Sequence, residues 1–166
     1  ERVAHRRCLH NNDKIIVVFM GYGELEKKIK LASKLYNNIF FHKVVSNNEL
    51  LSYTASADIG VALIENICLS YNFCMPNKLF EYAMATLPVV VSNVKEMSAF
   101  VEKHQMGVTV MNNTVEDFSY VIDKLLRMDF NTLSQNSRKA ALENSWEHQE
   151  AKMKIVYQNL LKNIKI

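Results

Sequence analysis

Three consecutive valines, Val89, Val90 and Val91, sit directly behind a segment that Pro76 opens and Pro88 closes. β-Branched side chains favour a strand, and a run with no polar position must bury both of its faces. Such a strand belongs inside a parallel sheet, with helices covering each side. The preceding segment agrees. Pro76 suits a first helical position, where its missing N–H and fixed φ cost nothing. From there Leu79, Phe80, Ala83, Met84 and Leu87 fall on one side at helical spacing, and Asn77, Lys78, Glu81 and Ala85 on the other. The spacing predicts a helix over 76–87, with one face for packing and one left available.

The same alternation runs through the chain. Residues 14–20, KIIVVFM, form an unbroken apolar run bounded by turn residues and predict a buried strand. Gly21-Tyr22-Gly23 turns the chain into a helix over 24–37, and residues 39–43 read as the next short strand. Ser46 and Glu49 have the spacing of a capping box that starts a helix through 56. Residues 58–64, DIGVALI, predict a central strand, 94–103 a helix and 107–111 a last strand. Two helical stretches follow, 115–128 and 133–164, the second broken near Ser145-Trp146. At the other end, residues 1–12 set Arg2, Arg6 and Arg7 around Val3, Ala4, Cys8 and Leu9, a short amphipathic helix with a solvated basic face. Strands and helices that alternate without an internal repeat define an α/β, doubly wound parallel sheet.

Composition narrows the class. A chain of 166 residues makes one domain the default. With 49% hydrophobic and 22% charged residues, and only 4 Gly and 2 Pro, it is neither disordered nor fibrous. No apolar run approaches the roughly 18 residues that span a bilayer, and the first residues lack a signal-peptide core, so the expected location is cytoplasmic. The 3 cysteines form no Cys-x-x-Cys pair and the 5 histidines have no ligand spacing. Reduced thiols and no metal site are expected. A formal charge of +3 gives no reason to invoke nucleic acid; phosphate-bearing ligands, or an anionic membrane surface, are compatible with it.

In open α/β sheets, ligands bind outside the carboxyl ends of the strands. That rule gathers residues 21–23, 42–46, 64–75 and 92–93 beside the start of the Pro76 helix. A helix start offers unpaired N–H groups and a positive dipole end, which suit a phosphate, and Lys78 adds a full charge. Glu81 follows on the same face, and a carboxylate can accept from both hydroxyls of a ribose. A solvated helix face with Lys and Glu three apart has the same spacing, which by itself leaves both readings open. Gly21-Tyr22-Gly23 lacks the third glycine of a dinucleotide fingerprint, since Glu26 occupies that place, so a close turn is expected there. In the long 64–75 segment, Tyr71 and Phe73 would either stack on a sugar or partner domain, or pin the loop.

The run Pro76-Asn77-Lys78-Leu79-Phe80-Glu81-Tyr82-Ala83-Met84-Ala85, continued by Leu87-Pro88-Val89-Val90-Val91-Ser92, resembles the PNKLFEYMAAGLPVVVS signature of nucleotide-sugar-dependent glycosyltransferases. These are the group 1, or family 4, enzymes, whose GT-B fold sets two Rossmann-like domains across a cleft. The resemblance extends to Val18-Phe19-Met20-Gly21-Tyr22-Gly23 with Leu25-Glu26, Phe40-Phe41-His42-Lys43-Val44, Ala57-Asp58-Ile59, Gly107-Val108, and Ser145-Trp146-Glu147 with Val156-Tyr157. It implies that residues 1–166 are the nucleotide-sugar-binding C-terminal domain, a Rossmann-like half of a GT-B enzyme. Glu81 would hold the donor ribose, Asn77 and Lys78 would face the diphosphate, and the backbone near Val44 would lie against the base.

Two departures qualify the match. Many members carry a second acid eight positions before the ribose glutamate, and Phe73 stands there. The family's domain also opens with a strand ending in an Arg and Lys pair, and no such strand precedes residues 1–12, so the domain reads as truncated at its N-terminal side. For the whole enzyme the resemblance implies retaining, metal-independent transfer from a UDP- or GDP-sugar, with no cofactor, to a saccharide or lipid-linked acceptor. Relatives commonly act in bacterial surface polysaccharide synthesis, such as O-antigen or capsule, at the inner face of the membrane. The acceptor site and the catalytic side chains would lie with the N-terminal domain, so the fragment alone should bind without turnover. A nucleotide-sugar epimerase of the same fold and a non-catalytic α/β interaction module stand as alternatives. A phospho-receiver domain is disfavoured, because Asp13 and Asp58 precede their strands rather than end them.

Overall fold

The computed structural model describes residues 15–163. The amphipathic helix expected over 1–12 falls outside them. In chain order the elements are β1 (Val17–Met20), α1 (Glu26–Leu35), β2 (Ile39–His42), α2 (Asn47–Thr54), β3 (Gly60–Ala62), α3 (Leu69–Asn72) and α4 (Asn77–Met84). They continue with β4 (Val89–Ser92), α5 (Lys95–His104), β5 (Gly107–Val110), α6 (Val115–Leu125), α7 (Phe130–Glu143) and α8 (Trp146–Asn163). All strand pairs are parallel: β1 with β2, and β4 between β3 and β5.

The valine run is the centre of the three-stranded sheet. Val89, Val90 and Val91 are all fully buried, and alternation sends them to opposite faces. Val89 and Val91 pack with Leu79 and Ala83 of α4, Met97 and Val101 of α5, and Ala140 and Ala141 of α7. Val90 packs instead with Val108 and Val110 of β5, Phe118, Val121, Ile122 and Leu125 of α6, and Leu133 of α7. Helices therefore cover both faces, which is the doubly wound arrangement. Ile15 and Val17 at the start of β1 join the second cluster, along with Ile59, Val61 and Leu63 around β3.

The 14–20 run is less buried than its apolar composition predicts. Val18 in β1 is 61% exposed, and Ile16 and Phe40 are exposed as well. The reason is pairing. Among the described residues β1 bonds only to β2 and β3 only to β4, so no ladder joins the two sheets. The turn after β1 is as expected, since Gly21 and Gly23 have φ of 140° and 153°, which side-chain-bearing residues rarely adopt.

Helix α4 differs from its expected span at both ends. Pro76 is the extended N-cap (φ −73°, ψ 144°), and the helix begins at Asn77. Its last helical residue is Met84. Leu87 N–H then donates to the Tyr82 carbonyl (2.9 Å) and Thr86 N–H to the Ala83 carbonyl (3.0 Å), a Schellman closure. Helical spacing no longer applies to 85–87, so Ala85 turns inward and is buried while Met84 is exposed, the reverse of expectation. The freed Leu87 carbonyl accepts from the buried Ser137 hydroxyl of α7 at 2.8 Å. At α2, Ser46 caps no backbone N–H; its hydroxyl donates to the Glu49 carboxylate at 2.6 Å, so the expected capping box is a side-chain pair.

Two stability predictions follow from this packing. Thr86 closes α4 at φ 63°, where a β-branched residue is strained by about 1–2 kcal/mol. Thr86→Gly should raise unfolding stability by about 0.5–1 kcal/mol, net of the freedom glycine adds to the unfolded chain, seen as a higher urea midpoint at unchanged slope. His104, at the end of α5, has a side chain only 8% exposed, 3.6 Å from Glu143. Its ring lies 4.6 Å from that of Phe100. Burial holds this imidazole below the ordinary histidine value, against the pull of Glu143 and with the push of Lys103 and Lys139. The folded state thus prefers neutral His104. Its contribution is complete above the unfolded pKa and is lost as pH falls through the folded one. Denaturant titrations at roughly pH 7.5 and pH 5 should show an acid loss that His104→Gln diminishes.

Candidate functional site

Because every strand runs the same way, the carboxyl ends of β3, β4 and β5 meet on one rim, and a buried polar knot fastens them there. Ser92, last in β4, is 1% exposed. Its hydroxyl accepts from Ile64 N–H (2.7 Å) and donates to the Asn113 side-chain oxygen (3.0 Å). The Asn113 amide returns to the Ile64 carbonyl at 3.1 Å. Asn113 follows β5 and sits at φ 49°, a left-handed position that asparagine tolerates. The knot fixes both backbone groups of Ile64, and so the direction in which the chain leaves β3.

From there the 65–75 segment folds back. The sequence reading treats it as a loop, but it contains the one-turn helix α3. The Asn72 side-chain oxygen accepts from Lys95 N–H at the start of α5 (3.1 Å), and the Lys95 ammonium lies 4.8 Å from the centroid of the Phe73 ring. Cys74 and Met75 then pack against the first core cluster. Neither pinning of the loop nor an open aromatic face has to be chosen over the other: Phe73 is held by Lys95 and is still 47% exposed.

The segment delivers the chain to α4. Tyr82 locks this helix to β3, its hydroxyl donating to the Val61 carbonyl at 3.2 Å. The ring presses so closely on β3 that a Cβ at Gly60 would stand 2.3 Å from it, so only glycine fits. With Leu79 and Ala83 buried, the opposite face carries exposed Asn77 and half-buried Lys78 and Glu81. No side chain caps the helix start. Among the described residues, the Glu81 carboxylate has neither a hydrogen bond nor an ion pair. An uncapped helix start with a cation one position in and an unpartnered carboxylate on the next turn can bind a phosphate and a diol together.

The structure thus brings Asn77, Lys78 and Glu81 onto one face, with Phe73 just before it. Val44 is placed differently. It lies exposed two residues past the end of β2, ahead of α2, which packs on α4. Of Ser92, Asn113, Asn72 and Lys95, the sequence places Ser92, and Asn72 within 64–75, on the rim without a role, and does not point to Asn113 or Lys95. Only Ser92 carried a signal there, as a polar end to a wholly apolar strand. Among the described residues no three His, Cys, Asp or Glu side chains cluster, and no helix is long and apolar enough to cross a membrane.

Residues 2–128 match the family model of glycosyl transferases group 1, and the chain belongs to that family. Its fold is similar to that in the crystal structure of WaaG, a glycosyltransferase involved in lipopolysaccharide biosynthesis, with a TM-score of 0.56 and 20% identity. That alignment covers 79% of this chain and 34% of the WaaG chain, so the chain spans about a third of its length. Among curated proteins, none matches the sequence. The Rossmann-like sheet is thereby that of a GT-B glycosyltransferase C-terminal domain.

The polar knot yields a direct test. Ser92→Ala leaves the part-buried Asn113 oxygen and Ile64 N–H without this partner, a loss of about 1–3 kcal/mol. Thermal or urea unfolding should register it, and backbone amide signals of 64–75 should shift in the folded protein.

Proposed function

We propose that this chain is the donor-binding half of a glycosyltransferase that moves a sugar from a nucleotide-diphosphate sugar to a saccharide or lipid-linked acceptor. The observation that carries the reading is the exposed face at the start of α4, in a chain of this family. There an uncapped helix start, Asn77 and Lys78 precede a Glu81 carboxylate that no described residue engages. In this role Asn77, Lys78 and the first backbone N–H groups hold the diphosphate, and Glu81 binds the ribose. Neutralising charge on the departing diphosphate and fixing its orientation are the domain's contributions to the transfer, which needs no metal and retains anomeric configuration. Val44 borders the base, which is that of a UDP- or GDP-sugar. Phe73 takes the place of a second acid beside the sugar.

The remainder of the enzyme accounts for surfaces left open here. Among the described residues β1 and β3 each keep an unpaired edge, which suits a further parallel strand between them, with the phosphate clamp at its end. Helix α8 exposes Trp146, Ile155, Val156, Tyr157, Leu160 and Leu161, an apolar surface suited to the N-terminal domain, which supplies the acceptor site. Surface polysaccharide synthesis, O-antigen or capsule, at the cytoplasmic side of the membrane is the setting we assign.

Calorimetric titration with UDP, GDP and ADP up to millimolar concentration, about −4 kcal/mol, tests the donor site. One nucleotide should bind selectively, and Glu81→Gln should weaken it about tenfold, the loss of one hydrogen bond to a charged group. Equal affinity in wild type and Glu81→Gln would remove Glu81 from the site. Absence of any nucleotide binding, in this chain and in a longer one that includes preceding sequence, would leave an α/β interaction module.

A further inference from the structure

The donor-site reading leaves the ammonium of Lys95, on the rim at the start of α5, without a task. Its backbone N–H is bound by Asn72 at 3.1 Å, and its ammonium is held 4.8 Å from the Phe73 ring centroid. Among the described residues it has no carboxylate within ion-pair distance. Glu96 follows it in α5 but leaves the helix about 100° further round. The result is a cation held over one face of the ring of Phe73, a residue that is still 47% exposed.

Its position relative to the diphosphate is set by the chain. Phe73 lies three residues before Pro76, so the ring's backbone is within about 10 Å of the α4 start. That is roughly the reach of a pyranose attached to a phosphate held there. We propose that this subsite takes a hexuronate, a donor sugar whose C6 is a carboxylate. The inference rests on the donor-site reading above. Phe73 offers an apolar face for the C–H side of the ring, and Lys95 offers the charge-assisted partner for the carboxylate. A neutral hexose would leave the ammonium with no charged partner. An acid at position 73, as in the Glu-x7-Glu arrangement, would repel the carboxylate at the same place.

Calorimetry with UDP-glucuronate and GDP-mannuronate against UDP-glucose, GDP-mannose and the bare nucleotides tests it. For the base that the protein prefers, the uronate should bind about tenfold tighter than the neutral hexose donor. Lys95→Gln, on the exposed surface and harmless to folding, should erase that preference while leaving the bare nucleotide's affinity unchanged. Phe73→Leu should weaken both sugar donors and spare the nucleotide. Equal binding of uronate and neutral donor, with nucleotide binding intact, overturns the uronate subsite and leaves the donor site standing. If Lys95→Gln weakens the bare nucleotide as much as the uronate donor, Lys95 meets phosphate and the proposal fails. Loss of all nucleotide binding in the wild type would fell the donor-site reading itself.

Discussion

A strand with no exposed side is the constraint on which the rest of this domain depends. β4 has to bury Val89 and Val91 on one face and Val90 on the other, so it needs a neighbour on each edge and helices above and below. Parallel pairing with β3 and β5 meets the first need, and α4, α5, α6 and α7 meet the second. Parallel strands also gather their carboxyl ends on one rim. The functional surface is thus a by-product of how β4 is buried.

Helix α4 couples that core to chemistry. One face is committed to packing through Leu79, Ala83 and the Tyr82 contact on Gly60, and its end is stitched to α7 through Leu87 and Ser137. A helix held along its length by such contacts presents its first turn at a fixed place. The Glu81 carboxylate can then stay without a partner among the described residues, because the core keeps the helix in position. The same division of labour applies at Lys95, where Asn72 anchors the backbone and Phe73 the head group.

Polar groups at the rim are satisfied where they are buried and left open where they face solvent. Ser92, Asn113 and Ile64 close on one another around the buried Ser92 hydroxyl, where an unmet donor or acceptor is costly. Glu81, half-exposed, can remain without a protein partner. Apolar surface follows the opposite logic. Where, among the described residues, β1 has β2 as its sole neighbour, and along α8, valines, tyrosines and leucines stay exposed.

Patterns of one or two turns were legible directly. Apolar runs located all five strands, the helical spacing located α4 with its Lys78 and Glu81 face, and the break at Ser145-Trp146 separated α7 from α8. These features depend on residues close in sequence, so composition and period suffice. The end of α4 was not legible, because Thr86 takes a left-handed conformation that its side chain disfavours and that packing against α7 imposes. Nor was the split between the two sheets, since an apolar run predicts a buried strand without specifying its neighbours. The Ser92–Asn113–Ile64 knot and the Asn72–Lys95–Phe73 contact join residues 21 to 49 positions apart. Local sequence carries the periodicity that chooses an element, whereas pairing between distant side chains is decided only when the sheet closes and brings its strand ends together.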